Sequence, residues 1–96
     1  MTKISPIHPG EVLAEDFMAP RNLTANALAL ALRVPANRIS DVVRGKRAIT
    51  AETALRLARY FNTTPQFWVN LQAHYDLEVA RDQKGADIER EVMAAG

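Results

Sequence analysis

The sequence of 96 residues contains no cysteine, which excludes disulfide bonds, thiolate metal sites and cysteine nucleophiles. No apolar run approaches the roughly 20 residues that a membrane span requires, and the N-terminus lacks the hydrophobic region of a signal peptide. The two histidines, His8 and His74, have no zinc-binding spacing. No nucleophile, base and orienting group form a catalytic set. We therefore expect a cytoplasmic, non-enzymatic protein with no metal, cofactor or membrane partner.

What the sequence does contain is enough apolar material for one small domain. Hydrophobic residues make up 48% of the chain, and there are only four glycines and five prolines. This composition is typical of a globular protein rather than a disordered one. A core of this size leaves a thin margin of stability, so oligomerisation is a reasonable source of further burial.

The charge is small in total but unevenly distributed. The net charge is +1, with seven basic and four acidic residues in residues 1–50, and three basic and six acidic residues in residues 76–96. Five basic residues fall between Arg33 and Arg47, where the only acidic residue is Asp41. A local basic cluster is typical of a nucleic-acid contact. A solvated helix face has the same composition, so this feature alone does not decide.

Hydrophobic spacing and turn residues predict an all-α fold with five helices and no strands. The first helix opens at His8-Pro9-Gly10-Glu11 and runs to about Met18. The fourth begins after Thr50 and stops at Asn62, and the fifth begins after Thr64. The predicted core consists of Leu28, Leu32, Ile39, Val42, Leu57, Phe61, Trp68 and Leu71.

The end of the chain has weaker signals. We expect one domain over residues 1–81, followed by a short acidic C-terminal tail over residues 82–96. Lys84-Gly85 is predicted to break the helical segment. The tail beyond it is expected to form a short helix or to be disordered.

The most informative feature is a pair of short helices joined by a tight turn. Thr24 is a good cap for the first helix. Arg33-Val34-Pro35 then ends this helix, because proline is favoured at a helix start and disfavours helical geometry in the residue before it. The second helix runs from residue 36 to residue 43 or 44, and Gly45 closes it. The pattern predicts a helix-turn-helix over residues 24–44.

The second helix of this pair has two distinct faces. Ile39, Val42 and Val43 are apolar and lie one helical turn apart. One face can hold such a helix to its own domain while the other offers hydrogen-bonding groups to base edges in the major groove of DNA. The polar set consists of Asn37, Ser40, Asp41 and Arg44, with Arg38 at its flank.

Neighbouring groups are placed to meet the phosphates beside such a groove. Lys46 and Arg47 follow directly after the glycine stop. Thr24 and Ala25, at the N-terminus of the preceding helix, can offer a hydroxyl and backbone N–H groups to a phosphate. The sequence therefore predicts a contact with double-stranded DNA.

Several segments resemble known helix-turn-helix families. Leu28-Ala29 through Val34, with Ile39 and Gly45-Lys46, match the lambda-repressor-like domains of the xenobiotic-response-element type. Three segments within residues 6–80 resemble the HigA-type antitoxins, also called virulence-associated protein I. They are His8-Pro9-Gly10-Glu11; Gly45-Lys46-Arg47-Ala48-Ile49-Thr50; and Thr53-Ala54-Leu55-Arg56-Leu57-Ala58-Arg59-Tyr60-Phe61 leading into Phe67-Trp68-Val69-Asn70-Leu71-Gln72.

This resemblance implies a five-helix lambda-repressor-like domain that acts as a dimeric antitoxin. Such a protein binds its own operator, represses a shared promoter and neutralises an mRNA-cleaving HigB-like toxin. Arg33 and Asn62 depart from the family, since many relatives have glycine there. At Arg33 this implies a left-handed residue, at a cost of about 1–2 kcal/mol. Carried over by position, the resemblance implies that the residues facing bases or nearby backbone are Ala36, Asn37, Arg38, Ser40, Asp41 and Arg44.

Two other interpretations remain open from the sequence. In the first, the chain is a stand-alone helix-turn-helix repressor without a toxin partner. A neighbouring gene for a short, basic, ribonuclease-like protein would favour the antitoxin over this alternative. In the second, the chain binds only a protein and DNA binding has been lost. Operator binding that falls steeply with salt would exclude the second.

Overall fold

The computed structural model describes residues 5–96, and within this range the chain forms five helices and no strand. The predicted all-α fold is confirmed. The first helix, α1, begins with Pro9–Val12, continues as a π-helical segment over Leu13–Met18 and ends in a 3₁₀ turn over Ala19–Arg21. The remaining helices are α2 (Ala25–Leu32), α3 (Ala36–Val43), α4 (Ala51–Phe61) and α5 (Pro65–Glu91).

Threonine caps set the start of three helices, as the sequence predicts. Thr24 Oγ1 accepts a hydrogen bond from the Ala27 N–H at 3.1 Å. Thr50 and Thr64 do the same at the starts of α4 and α5, at 3.3 and 3.2 Å. Each cap satisfies an N–H group that has no partner inside the helix, which stabilises a helix start by about 1 kcal/mol.

The core lies between α1, α2, α3, α4 and the first half of α5. Trp68 is fully buried, and its ring packs against Phe17, Phe61 and Phe67 with centroid distances of 4.8, 6.3 and 4.9 Å. Its indole N–H donates to Thr63 Oγ1 at 2.8 Å, so the buried polar atom is satisfied. Of the predicted core residues, Leu71 alone is only half-buried. The buried ones are Leu28, Leu32, Ile39, Val42, Leu57, Phe61 and Trp68.

The first helix differs from the regular α-helix expected over this segment. After Val12 the hydrogen bonds widen to the i→i+5 pattern of a π-helix, which brings residues five apart together. Leu13 and Met18 are five apart, and both are buried. The helix then ends at Asn22, which is left-handed with a φ of 50°. The wider turn therefore places two core side chains on one side.

The prediction that Lys84-Gly85 breaks the helical segment is wrong. The α5 helix passes through Gly85 and ends at Glu91, so the boundary expected between residues 81 and 82 falls inside it. A single glycine costs a helix only about 1 kcal/mol relative to alanine. Ion pairs one turn apart support this stretch: Arg81 Nη1 lies 2.9 Å from Glu78 Oε1, and Arg90 pairs with Asp87. Within the predicted tail, residues 82–91 are helical and residues 92–96 lack regular secondary structure.

Candidate nucleic-acid interface

The α2–α3 pair forms the predicted helix-turn-helix, and a left-handed Arg33 makes its turn tight. Arg33 has a φ of 63°, as the resemblance implies. Its N–H donates to the Leu30 carbonyl at 3.2 Å, and the Val34 N–H donates to the Ala29 carbonyl at 3.0 Å. This is a Schellman ending, which normally favours glycine at the left-handed position. Arg56 Nη1 donates to the Leu32 carbonyl at 2.8 Å and ties the end of α2 to α4.

The third helix has the predicted two faces. Ile39 and Val42 are fully buried and hold α3 to the core, while Val43 is half-buried. Asn37 is exposed near the start of α3, and the hydroxyl of Ser40 donates to the Asn37 carbonyl at 3.3 Å. The outer face of α3 is therefore free to meet groups from outside the chain.

The chain after α3 turns sharply and carries basic side chains outward. Gly45, with a φ of 76°, donates its N–H to the Val42 carbonyl at 3.0 Å. The Lys46 N–H donates to the Asp41 carbonyl at 2.8 Å, which completes a second Schellman ending. Arg47 Nη2 lies 3.9 Å from Asp41 Oδ2, and both side chains are partly exposed. A pair of this kind is weak, so Arg47 stays available to a phosphate.

Sequence reasoning missed a buried glutamine that holds the end of the loop over residues 45–49, which we call the basic loop. Gln72 is only 8% exposed. Its Oε1 accepts from the Ile49 N–H at 2.7 Å, and its Nε2 donates to Asp76 Oδ1 at 2.9 Å. The signal was available, because Gln72 lies one helical turn after Trp68 on the inner face of α5. Buried polar groups are almost always hydrogen-bonded, so a glutamine there predicts a backbone partner.

The segment His8-Pro9-Gly10 braces the end of α3. A Cβ on Gly10 would lie 1.8 Å from the Val42 carbonyl oxygen, so only glycine allows the observed approach of α1 to α3. His8 caps α1, and its Nδ1 accepts from the Gly10 N–H at 2.9 Å. Its ring lies beside Gly45 and contacts Tyr75 edge-on at 4.8 Å. The end of α3 is thus held by α1 as well as by its own buried face.

The predicted DNA-binding residues lie at the start of α2, along α3 and in the loop after it. Thr24 uses its oxygen to accept the capping bond, which leaves its hydroxyl hydrogen for an acceptor outside the helix. No predicted residue is fully buried. Those that are exposed are Thr24, Ala36, Asn37, Arg44, Lys46 and Arg47, and those that are half-buried are Ala25, Arg38, Ser40 and Asp41.

The described residues contain neither a metal-binding cluster nor a membrane-spanning helix. Residues 5–96 hold no group of three or more histidine, cysteine, aspartate or glutamate side chains that could bind a metal ion. Across the same range, no helix combines the length and the apolar character that crossing a membrane requires.

Comparison with known proteins defines the class of this chain. A helix-turn-helix family model matches residues 15–68. This match spans the π-helical end of α1, the α2–α3 pair, α4 and the start of α5 as far as Trp68. The chain is therefore a helix-turn-helix protein.

Individual relatives narrow the assignment. Virulence-associated protein I of Dichelobacter nodosus is 53% identical over 78 residues, which are 81% of this chain and 72% of that protein. The structure of Pseudomonas aeruginosa antitoxin HigA with the higBA promoter matches with 45% identity and a TM-score of 0.93, covering 95% of this chain and 99% of that one. Antitoxin GraA in complex with its operator matches with 38% identity and a TM-score of 0.91, covering 100% and 97%.

This chain belongs to the HigA-type antitoxins, a family of lambda-repressor-like helix-turn-helix proteins. The resemblance drawn from the sequence motifs is confirmed. These relatives are known as antitoxins and regulators rather than as enzymes.

Proposed function

We propose that this chain is an operator-binding antitoxin that represses its own promoter. The observation that carries the proposal is the division of α3, whose inner residues Ile39 and Val42 are fully buried while Asn37 is exposed on the outer face. A helix held in this way can enter the major groove without disturbing its own domain. In this arrangement Ala36, Asn37, Arg38, Ser40, Asp41 and Arg44 face base edges or nearby backbone, and Thr24, Ala25, Lys46 and Arg47 face phosphates.

The proposed DNA-binding unit is a homodimer. One recognition helix contacts too few base pairs for a specific site, and a two-fold dimer places two such helices one duplex turn apart, about 34–36 Å. The operator is then an inverted repeat. Val69 and its neighbours on α5 are our candidate for the dimer interface. Val69 is half-buried within one chain, so part of it remains available to a second copy.

The proposed protein partner is a HigB-like, mRNA-cleaving toxin. Support comes from the similarity to antitoxin HigA, whose structure with the higBA promoter shares 45% identity with this chain. In this proposal the chain acts by binding, in the cytoplasm, and performs no catalysis of its own. A stand-alone repressor would have the same DNA-binding surface but no toxin.

A binding titration tests the DNA part of the proposal. The full chain is titrated onto a duplex from the region upstream of its own gene and onto a scrambled duplex, at several salt concentrations. We expect the upstream duplex to bind at least about 1,000-fold more tightly, with affinity falling steeply as salt rises. We expect a footprint that covers two half-sites. Equal affinity for both duplexes, or protection of a single unrepeated half-site at saturation, would contradict it.

Co-expression tests the toxin part. The product of the adjacent open reading frame is expressed alone and together with this chain, and cellular mRNA and growth are followed. We expect the product to cleave mRNA and stop growth when expressed alone, and the chain to bind it and restore growth. If the neighbouring gene encodes no such protein, the stand-alone repressor is the correct reading.

A further inference from the structure

The capping histidine of α1 lies at the junction of three elements that support the DNA-facing surface. His8 Nδ1 accepts from the Gly10 N–H at 2.9 Å, and Gly10 in turn lies against the Val42 carbonyl at the end of α3. The His8 ring also lies beside Gly45, where the basic loop begins, and contacts Tyr75 of α5. One side chain therefore joins α1, the end of α3 and α5.

Residues next to this junction also hold the far end of the basic loop. Asp76 follows Tyr75 in the chain, and its carboxylate accepts a hydrogen bond from Gln72. Gln72 in turn accepts a hydrogen bond from the Ile49 N–H. The loop over residues 45–49 thus has the His8 ring beside its first residue and a hydrogen bond from its last residue to Gln72. Its Lys46 and Arg47 side chains are proposed to meet DNA phosphates.

The hydrogen bond at His8 requires an unprotonated nitrogen. An imidazole nitrogen accepts a hydrogen bond only when it carries no proton, so Nδ1 is bare and the proton of the neutral ring is on Nε2. Burial lowers the pKa of His8, and the negative charge of Asp76 opposes this effect. Of the other titratable groups on the packed elements, Tyr75 on α5 contacts the ring. Glu11 follows on α1, and Arg44 and Lys46 flank Gly45 in the chain, all with exposed side chains.

We propose that His8 is a positioning residue for operator binding, and that operator affinity falls when His8 is protonated. This inference rests on the proposed function. Protonation turns Nδ1 into a donor that faces the Gly10 N–H, which removes the cap and places two donors against each other. The first turn of α1 then loosens from the Val42 carbonyl, and the His8 ring shifts from its place beside Gly45.

The test is a titration of the full chain on the upstream duplex between pH 5.5 and pH 7.5 at constant ionic strength. We expect the affinity of the unsubstituted chain to fall by about twofold to fivefold between pH 7.5 and pH 5.5. This is less than the roughly tenfold that a histidine with the ordinary pKa of about 6.5 would allow, because burial lowers the pKa of His8. His8→Asn supplies a cap that does not titrate. This variant should keep most of the affinity at neutral pH and lose the pH dependence. His74→Asn changes the exposed histidine and should keep the original profile.

The outcomes separate this inference from the function on which it rests. If the unsubstituted chain does not prefer the upstream duplex at pH 7.5, the proposed function fails. If it binds but His8→Asn keeps the original pH profile, only the role of His8 fails. Affinity that rises at low pH would also overturn the inference, because it would show that protonation does not weaken operator binding. Circular dichroism at each pH confirms that every variant remains folded.

Discussion

The two halves of α5 have the same secondary structure but different surroundings. Residues 65–76 carry Trp68 and Gln72, which are buried against the other helices. Residues 77–91, which we call the distal segment, include Leu77 and Ile88, which are 54% and 51% exposed. At about 1.5 Å per residue the 27-residue helix is roughly 40 Å long, most of the 51 Å length of the molecule.

This difference shows that helix formation and core formation are separate events here. In the first half of α5, burial of apolar side chains fixes the helix in place. In the distal segment no side chain is fully buried, so helix propensity and pairs such as Arg81 with Glu78 are the main stabilising contributions. Such pairs contribute only about 0.2–0.5 kcal/mol each. The proposed DNA-binding residues all precede the distal segment, in the part of the chain that has a core.

The largest contrast is expected for matched leucine truncations. Leu57→Ala should lower the free energy of unfolding by about 2–5 kcal/mol, because the side chain is fully buried and its removal leaves a cavity. Leu77→Ala in the distal segment should change it by less than about 0.5 kcal/mol, because that side chain is largely exposed. Denaturant melts measure both values. Similar losses for the two variants would mean that the distal segment is packed against something in solution.

A second contrast concerns DNA binding. Asn37→Ala should weaken operator binding by about 1–3 kcal/mol per half-site and relax the preference at one base position, because asparagine reads adenine through a bidentate pair. Lys46→Ala should weaken all sequences alike and reduce the salt slope by about one unit. Lys84→Ala removes a lysine from the distal segment and serves as the matched control, which should leave both quantities unchanged.

Titration on operator and scrambled duplexes at several salt concentrations separates these effects. If Asn37→Ala weakens both duplexes equally while Lys46→Ala alters sequence preference, the assignment of base-facing and phosphate-facing residues is reversed. If Lys84→Ala reduces the salt slope as much as Lys46→Ala does, the DNA contact extends to the distal segment.

The next largest effects are expected on the free energy of unfolding, from introducing a glycine at residue 33 and from removing the glycine at residue 85. Arg33→Gly should stabilise the fold by about 0.5–1 kcal/mol, because glycine adopts the left-handed conformation without the cost that arginine bears there. Gly85→Ala should stabilise the distal segment by a similar amount, since alanine is the better helix former. The added Cβ would lie 3.4 Å from Arg81 Cγ, a flexible side chain that can shift. Thermal melts should show a higher melting temperature for Arg33→Gly. Circular dichroism should show a higher helix content for Gly85→Ala.

The smallest expected effect is on the pH dependence of the free energy of unfolding. Because burial lowers the folded-state pKa of His8, the unfolded chain binds more protons than the folded chain below the ordinary histidine value of about 6.5. The contribution of His8 to the free energy of unfolding is therefore complete above that pH and is lost as the pH falls through the lowered folded-state value. Melts of the unsubstituted chain and of His8→Asn between pH 5 and pH 7.5 measure the difference. Identical pH dependence would show that His8 contributes nothing to it.

The sequence predicted the central helices well because their ends carry local signals. Thr24, Gly45, Thr50 and Asn62 act through their own side chains or backbone conformation, and each lies where the structure uses it. The partition of α3 also follows from spacing, since Ile39 and Val42 recur at the helical period. These features depend on neighbours a few residues away, so a single sequence is enough to find them.

Features that depend on distant parts of the chain could not be predicted in this way. The π-helical segment after Val12 has no spacing signal of its own, and it is fixed by the burial of Leu13 and Met18. The bond from Ile49 to Gln72 joins residues 23 positions apart, and the contact of Gly10 with Val42 joins two helices. The predicted break in the distal segment does not occur, because the helix formers around Gly85 outweigh the cost of this single glycine.

The separation of the two faces of α3 has a consequence for how such proteins diversify. Gly10, Ile39 and Val42 keep the helix in place, whereas the outward side chains, Asn37 among them, take little part in the packing. Under the proposed function, the outward residues can therefore be exchanged to change the operator sequence that is bound, with little effect on the stability of the fold. Duplicated copies in one genome can then acquire different operators while sharing one scaffold, and the same division offers a route to engineered repressors that do not cross-react.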